Sequence, residues 1–185
     1  MTNNSPESLN DMTNRALSLI DDVHSLNDNF ELGLPFKFSE VVRLWSRPYF
    51  GSWTNFHIVN PGPKDRIEHF LLVTANWDRG KDAELLSEQK DNSHLLDLTV
   101  KASLKQMQPQ SVISFIENIS LINVPLKLAD STVSLDSMQF GFALTSRHQS
   151  ITLSWHNEGP KQWKDVTHEF DKLKLACEAV FSGSA

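Results

Sequence analysis

One cysteine, Cys177, stands among 185 residues. A lone thiol excludes an intramolecular disulfide framework and any cysteine-rich zinc site. Long apolar runs are missing too, and none approaches the roughly 18 residues that a membrane span requires. The opening MTNNSPESLNDMTN has neither a basic start nor an apolar stretch, so it does not read as a secretory leader. These features predict a cytoplasmic protein without a membrane partner. Basic charge is also scarce: 17 Lys and Arg stand against 23 Asp and Glu, a net charge of −6. The deficit is spread, with 4 bases to 7 acids in residues 1–50, 9 to 11 in 51–150 and 4 to 5 in 151–185. Nucleic-acid binders owe much of their affinity to a basic patch, so DNA or RNA is not an expected partner. A protein partner, including a basic one, suits this charge.

The common catalytic signatures are absent as well. There is no phosphate-binding loop, no G-x-G-x-x-G and no G-x-S-x-G elbow. His156-Asn157-Glu158 has the H-x-E of zinc deaminases but lacks their P-C-x-x-C pair. His168-Glu169 begins like H-E-x-x-H, yet position 172 is Lys. Asn76 to Asp82, NWDRGKD, resembles a calcium loop until its sixth position, Lys81, and its twelfth, Ser87. A solvated turn is the expected reading there. Asp21-Asp22 reads as the polar face of a helix. No metal or cofactor is expected.

Periodicity organises what is present. Ser5-Pro6-Glu7 reads as a helix start. Leu9, Met12, Ala16, Leu19, Ile20, Val23 and Leu26 then form one apolar stripe. A second, short helix is expected over Ser39 to Trp45. NFHIVN and RIEHFLLVTA read as strands joined by a turn. KDAELLSEQKDN is a polar connection or a short helix. Leu96 to Leu104 alternates cleanly, which predicts a strand with one buried and one wet face. A further strand is expected from about Ile119 to Leu128. Met138 to Leu144 and Ile151 to Trp155 alternate around SRHQS, a hairpin signal. From Trp163 the steps to Val166, Phe170, Leu173, Cys177 and Val180 are three or four, a long helix. The stretch from Ile151 to Phe170, rich in Trp and His, is thus a strand-to-helix joint rather than a catalytic centre. Cys177 on the helix stripe reads as a small buried hydrophobe.

The expected fold is α+β, one domain over residues 1–185 with residues 1–5 disordered. An antiparallel sheet of about five to seven strands carries the N-terminal and long C-terminal helices on one face. Leu98, Val100, Phe140, Phe142, Leu153, Trp155, Phe170, Leu173 and Cys177 should share its core. A sheet curved around the C-terminal helix, as in helix-grip folds, is the alternative architecture.

The densest unusual composition is LWSRPYFGSWTNF. Trp45, Tyr49, Phe50, Trp53 and Phe56 surround Arg47, Pro48 and Gly51, and Tyr49 is the one Tyr of the chain. No single helix or strand face carries all five through Pro48 and Gly51, so part of the segment is a loop. Trp45 is expected to be buried; Arg47, Tyr49, Phe50 and Trp53 are the candidate partner-binding residues, since Trp, Tyr and Arg are favoured anchors. The leading functional expectation is a non-catalytic interaction protein: a small acidic inhibitor, an immunity-type protein or a dedicated chaperone. The alternatives are a binder of an apolar small molecule in a sheet-helix cavity, and an enzyme whose His57, His69, His156 and Glu158 converge from distant segments.

Overall fold

A computed structural model describes residues 7–62, 69–88, 96–124, 138–145 and 150–183. Ser8 opens the first helix, α1 (Leu9–Ile20): its side chain takes the Asp11 amide and Asp11 returns to the Ser8 amide, a capping box. The stripe expected as one helix is two. Asp21 ends α1, and Asp22 caps α2 (Val23–Phe30) by accepting the His24 N–H at 3.0 Å. Burial opposes the Asp22 charge, but bonds from Ser25 and His24 hold its carboxyl below the usual range. The proposed cap at Ser5-Pro6 and the expected disorder of residues 1–5 lie outside the described residues.

Six strands follow: β1 (Ser39–Arg47), β2 (Ser52–Asn60), β3 (Phe70–Asp78), β4 (Val100–Met107), β5 (Gln139–Thr145) and β6 (Ser150–His156). They form one antiparallel sheet in the order β4-β3-β2-β1-β5-β6. Between them run α3 (Arg79–Glu88) and α4 (Pro109–Leu121), and α5 (Lys164–Ser182) closes the chain after a short 3₁₀ turn. The α+β class, the antiparallel sheet and the long C-terminal helix are as expected.

The layering differs from expectation. On β3, Phe70 and Leu72 pack with α4 and α5, while Val73, Ala75 and Trp77 pack with α1 and α2. Alternate strand residues face opposite ways, so the N- and C-terminal helices cover opposite faces, not one. The single core expected from Leu98 to Cys177 is therefore two: Leu98 and Val100 lie under α1, and the other seven lie under α5. The apolar run Phe70 to Val73 carries the signal, since strands buried on both faces lose polar alternation.

Three local assignments change as well. The segment Ser39 to Trp45 is β1, not a helix. The register shift between Glu40 and Val42 marks a bulge that hides the alternation of Val42 and Leu44 with Arg43 and Trp45. Ile119 belongs to α4, not to a strand; Pro109 sits in its first turn and Val112, Phe115 and Ile119 are its buried stripe. Residues 125–128 of that expected strand lie outside the described residues. Finally, β4 begins at Val100 rather than Leu96. Side chains take the preceding backbone groups instead: Arg15 donates to the Leu96 carbonyl at 2.6 Å, and Asp82 accepts the Thr99 N–H at 2.9 Å.

The strand-to-helix joint is confirmed. Trp155 meets Phe170 edge-to-face at 4.9 Å and Trp163 at 6.4 Å. Gly159 adopts φ 77°, and a Cβ there would lie 2.9 Å from the Trp155 ring. Burial, and secondarily the Glu178 charge, push the Cys177 thiol far up. Phe170→Ala removes the central ring of this cluster and should cost about 3–5 kcal/mol, read from denaturant unfolding. Cys177 should then react with a thiol reagent about tenfold faster for each ~1.4 kcal/mol of lost stability. Unchanged unfolding and labelling would show that the α5 stripe is not a core.

Candidate functional site

The aromatic segment forms the β1–β2 hairpin and its tip. Pro48 to Gly51 make the turn, with Gly51 at φ 96°. Tyr49 and Phe50 stand out from it, 50% and 75% exposed, with their rings edge-to-face at 4.7 Å. The backbone beneath them is tied down. Trp53 donates its indole N–H to the Pro48 carbonyl at 2.9 Å, and Arg79 donates to the Tyr49 carbonyl at 3.0 Å. The Arg79 guanidinium also lies 5.9 Å from the Tyr49 ring and 5.8 Å from the Trp53 ring, within cation–π range.

Trp53 stands edge-on to Trp77 at 5.0 Å. The Trp77 indole donates to Asp82 at 2.7 Å, and Asp82 is fully buried in the first turn of α3. The solvated turn expected at Asn76 to Asp82 is thus a strand end running into a helix, with an inward carboxylate. Asp82 braces two indoles beneath the tip.

Arg47 braces the other side. It lies 5.5 Å from the Trp45 ring and 5.6 Å from the Trp53 ring, and it donates to the Asp21 carboxylate. Burial lowers its pKa; Arg43 adds to that effect and the Asp21 charge opposes it. Asp21 is also held by Asn55, whose amide donates to its carboxylate at 2.6 Å and to the Ile20 carbonyl at 2.8 Å. Arg43 donates to the Asp21 main-chain oxygen. Asp21 is therefore not a surface acid on a polar helix face, but the joint between α1 and the hairpin.

His57, wholly buried, completes that joint. Its Nε2 donates to the Ile20 carbonyl at 2.8 Å, and its Nδ1 lies 2.5 Å from Glu40 Oε1. A carbonyl only accepts, so Nε2 bears hydrogen. The Nδ1–Glu40 contact then requires one further proton between imidazole and carboxyl.

Sequence reasoning places Tyr49 and Phe50 correctly outside and Trp45 correctly inside, the last 7% exposed. Trp53, expected as an exposed anchor, is half-buried, and Arg47 is committed to Asp21. The sequence reading gives Asp21 to a polar helix face and Arg79 and Asp82 to a solvated turn, and it does not single out Asn55. Their one sequence signal is a polar residue placed inside or beside an apolar strand run, as Asn55 is in NFHIVN.

The histidines do not converge. His57 on β2 and His156 on β6 are three strand spacings apart, about 14 Å at the usual separation. His57 is buried, while His69, His156 and Glu158 are exposed. Among the described residues no cluster of His, Cys, Asp and Glu could hold a metal ion. The space between α5 and the sheet is filled by Phe142, Trp155, Phe170, Leu173 and Cys177. A surface cleft of about 860 Å³ lies beside the joint, lined by Phe140, Trp155, Gly159, Lys161 and Lys164 among others. No described helix is long and apolar enough to cross a membrane. Comparison with protein-family models, with curated proteins and with solved structures gives no match.

The His57 joint makes a direct prediction. His57→Phe removes the donor to Ile20 and leaves Glu40 without its partner. Asn55 still serves the Ile20 carbonyl and Glu40 is partly exposed, so the cost is that of the lost bonds, about 0.5–1.5 kcal/mol each. The melting temperature should fall by about 2–4 °C per kcal/mol for a chain of this size. An unchanged melting curve would show that α1 does not need this bond.

Proposed function

We propose that the chain is a non-catalytic protein-interaction module that meets its partner through the β1–β2 tip. The observation that carries this reading is the exposure of Tyr49 and Phe50 on a backbone held by the Trp53 and Arg79 hydrogen bonds. Exposed aromatics on a fixed turn offer large contact area at little entropic cost, because few rotors remain to be ordered on binding. Arg79 and Arg47 lie behind them as internal braces, on the Tyr49 carbonyl and the Asp21 carboxylate. Trp53 and Arg47 act as supports for the tip, with Tyr49 and Phe50 as the contacting anchors. A small inhibitor, an immunity-type protein or a chaperone for one client fits this build. The net charge of −6 suits a partner that is basic overall. A cytoplasmic location is part of the same reading and rests on the single cysteine.

A second reading has its own support. The cleft of about 860 Å³ beside Phe140 and Trp155 lies in the size range of small-molecule sites. An apolar ligand there would contact the edge of the α5 core, with Lys161 and Lys164 at the rim.

The test pairs binding with folding. The partner is captured from native extract on the wild-type chain, identified by mass spectrometry, purified and titrated against Tyr49→Ala and Phe50→Ala. Both side chains are exposed, so melting temperatures should hold. Binding should weaken by at least ~2 kcal/mol at one of the two positions, about thirtyfold in Kd. Wild-type affinity in both variants would remove the tip from the account and favour the cleft.

A further inference from the structure

The sheet has two edges, and they are built differently. Edge strands normally carry devices that stop other strands from pairing: charged side chains, proline or bulges. The outer strand β4 has Lys101 and Lys105. β6 has none of these. Ser150-Ile151-Thr152-Leu153-Ser154-Trp155-His156 contains no Lys, Arg, Asp, Glu or Pro, and it pairs with β5 in unbroken register. Ser150, Ile151, Thr152 and Ser154 are exposed, Ile151 to 49%. Among the described residues no strand lies on its outer side.

The ladder fixes which backbone groups point outward. The Asn157 N–H donates to the Met138 carbonyl at 2.8 Å, just past the last β5–β6 pair. Antiparallel ladders alternate. Trp155, Leu153 and Ile151 therefore turn their backbone groups into β5, and Ser154, Thr152 and Ser150 turn theirs away from it.

We propose that β6 pairs antiparallel with β6 of a second copy of this chain, about a two-fold axis at Leu153. That register sets Thr152 opposite Ser154 of the second copy, both among the outward-bonding residues. It sets Ile151 opposite Trp155 of the second copy and Leu153 opposite itself, in the close pairs where side chains touch. The strand is a palindrome in chemical class: outward from Leu153, hydroxyl meets hydroxyl and apolar meets apolar. This self-match, rather than openness alone, selects a second copy as the occupant. Neutrality matters as well, since two chains of net charge −6 meet along a seam that brings no like charges together. Both β6 edges are consumed by the two-fold, and the lysines of β4 guard the outer edges. The assembly thus closes at two copies. The proposal is independent of the hairpin tip.

The test is the solution mass of the full chain over a concentration series, by light scattering or sedimentation. The wild type should approach twice 21.0 kDa. Two variants should be monomeric while keeping their melting temperature and circular dichroism. Thr152→Pro removes an outward N–H and leaves the β5 ladder intact, a kind of edge-strand position where proline is tolerated. Ser154→Lys places like charges across the seam without touching the backbone, and it decides the matter if the proline variant fails to fold. Leu153→Cys reports the register: close non-hydrogen-bonded pairs bring Cα atoms to about 4.5 Å, so mild oxidation should give a cross-linked dimer, with the wild-type chain and its buried Cys177 as the uncross-linked control. A wild type that stays monomeric throughout would overturn the proposal. So would a dimer that survives Ser154→Lys, or a dimer in which Leu153→Cys does not cross-link.

Discussion

The C-terminal end of α1 is gripped by four side chains of the sheet, and the rest of the architecture is arranged around that grip. A helix end leaves carbonyls without partners. Here the Ile20 carbonyl takes hydrogen bonds from Asn55 and His57, and Asp21 takes them from Asn55, Arg43 and Arg47. Each donor is a strand residue on the face that α1 covers. The bonds fix where α1 lies, and α1 in turn shields the second core of Met12, Ala16, Ile20, Val73 and Trp77. A polar device thus positions an apolar layer. Its specificity is directional, which apolar burial alone does not provide.

The same grip reaches the tip of the β1–β2 hairpin. Arg47 is the last residue of β1, and its partner is Asp21. Trp53 opens β2 and leans on Trp77, which Asp82 holds. Two carboxylates from two helices therefore steady the base of one turn. Tyr49 and Phe50 are the large side chains of that turn that stay exposed. On the other half of the same face, Trp45 lies over Gly141 so closely that a Cβ there would sit 2.3 Å from the indole. Beyond it, among the described residues, β6 presents Ser150, Thr152 and Ser154 on this face. The layer that α1 and α2 supply stops short of this edge, and what remains is a neutral strand with outward backbone groups.

Period-three and period-four stripes made α5 legible from Trp163 to Cys177, and period two made the β5–β6 hairpin legible. Both elements are amphipathic in the simple sense, with one face buried. The errors fall where that simplicity fails. β1 carries a bulge at Val41, so its apolar residues bunch as they would on a helix. β3 is buried on both faces, so its pattern could not say that helices lie on two sides. The end of α4 at Ile119 reads as a strand because its stripe runs straight into Ile122 and Val124. The site was half legible: composition drew the eye to residues 45–56, and Pro48 with Gly51 located the turn. The bracing was not legible, because Asp21, Asn55 and Asp82 act across 22 residues or more or through burial, and a sequence shows neither.

Hydrogen exchange on Asp21→Ala tests the grip most directly. Removing this carboxylate leaves Arg47 and Asn55 without their shared acceptor. The account predicts that amides in the last turn of α1 and at the tip end of β1 and β2 lose protection together, while the β5–β6 pair stays as in the wild type. Faster exchange in α1 with an unchanged hairpin would contradict it, since the tip would then be held without the helix.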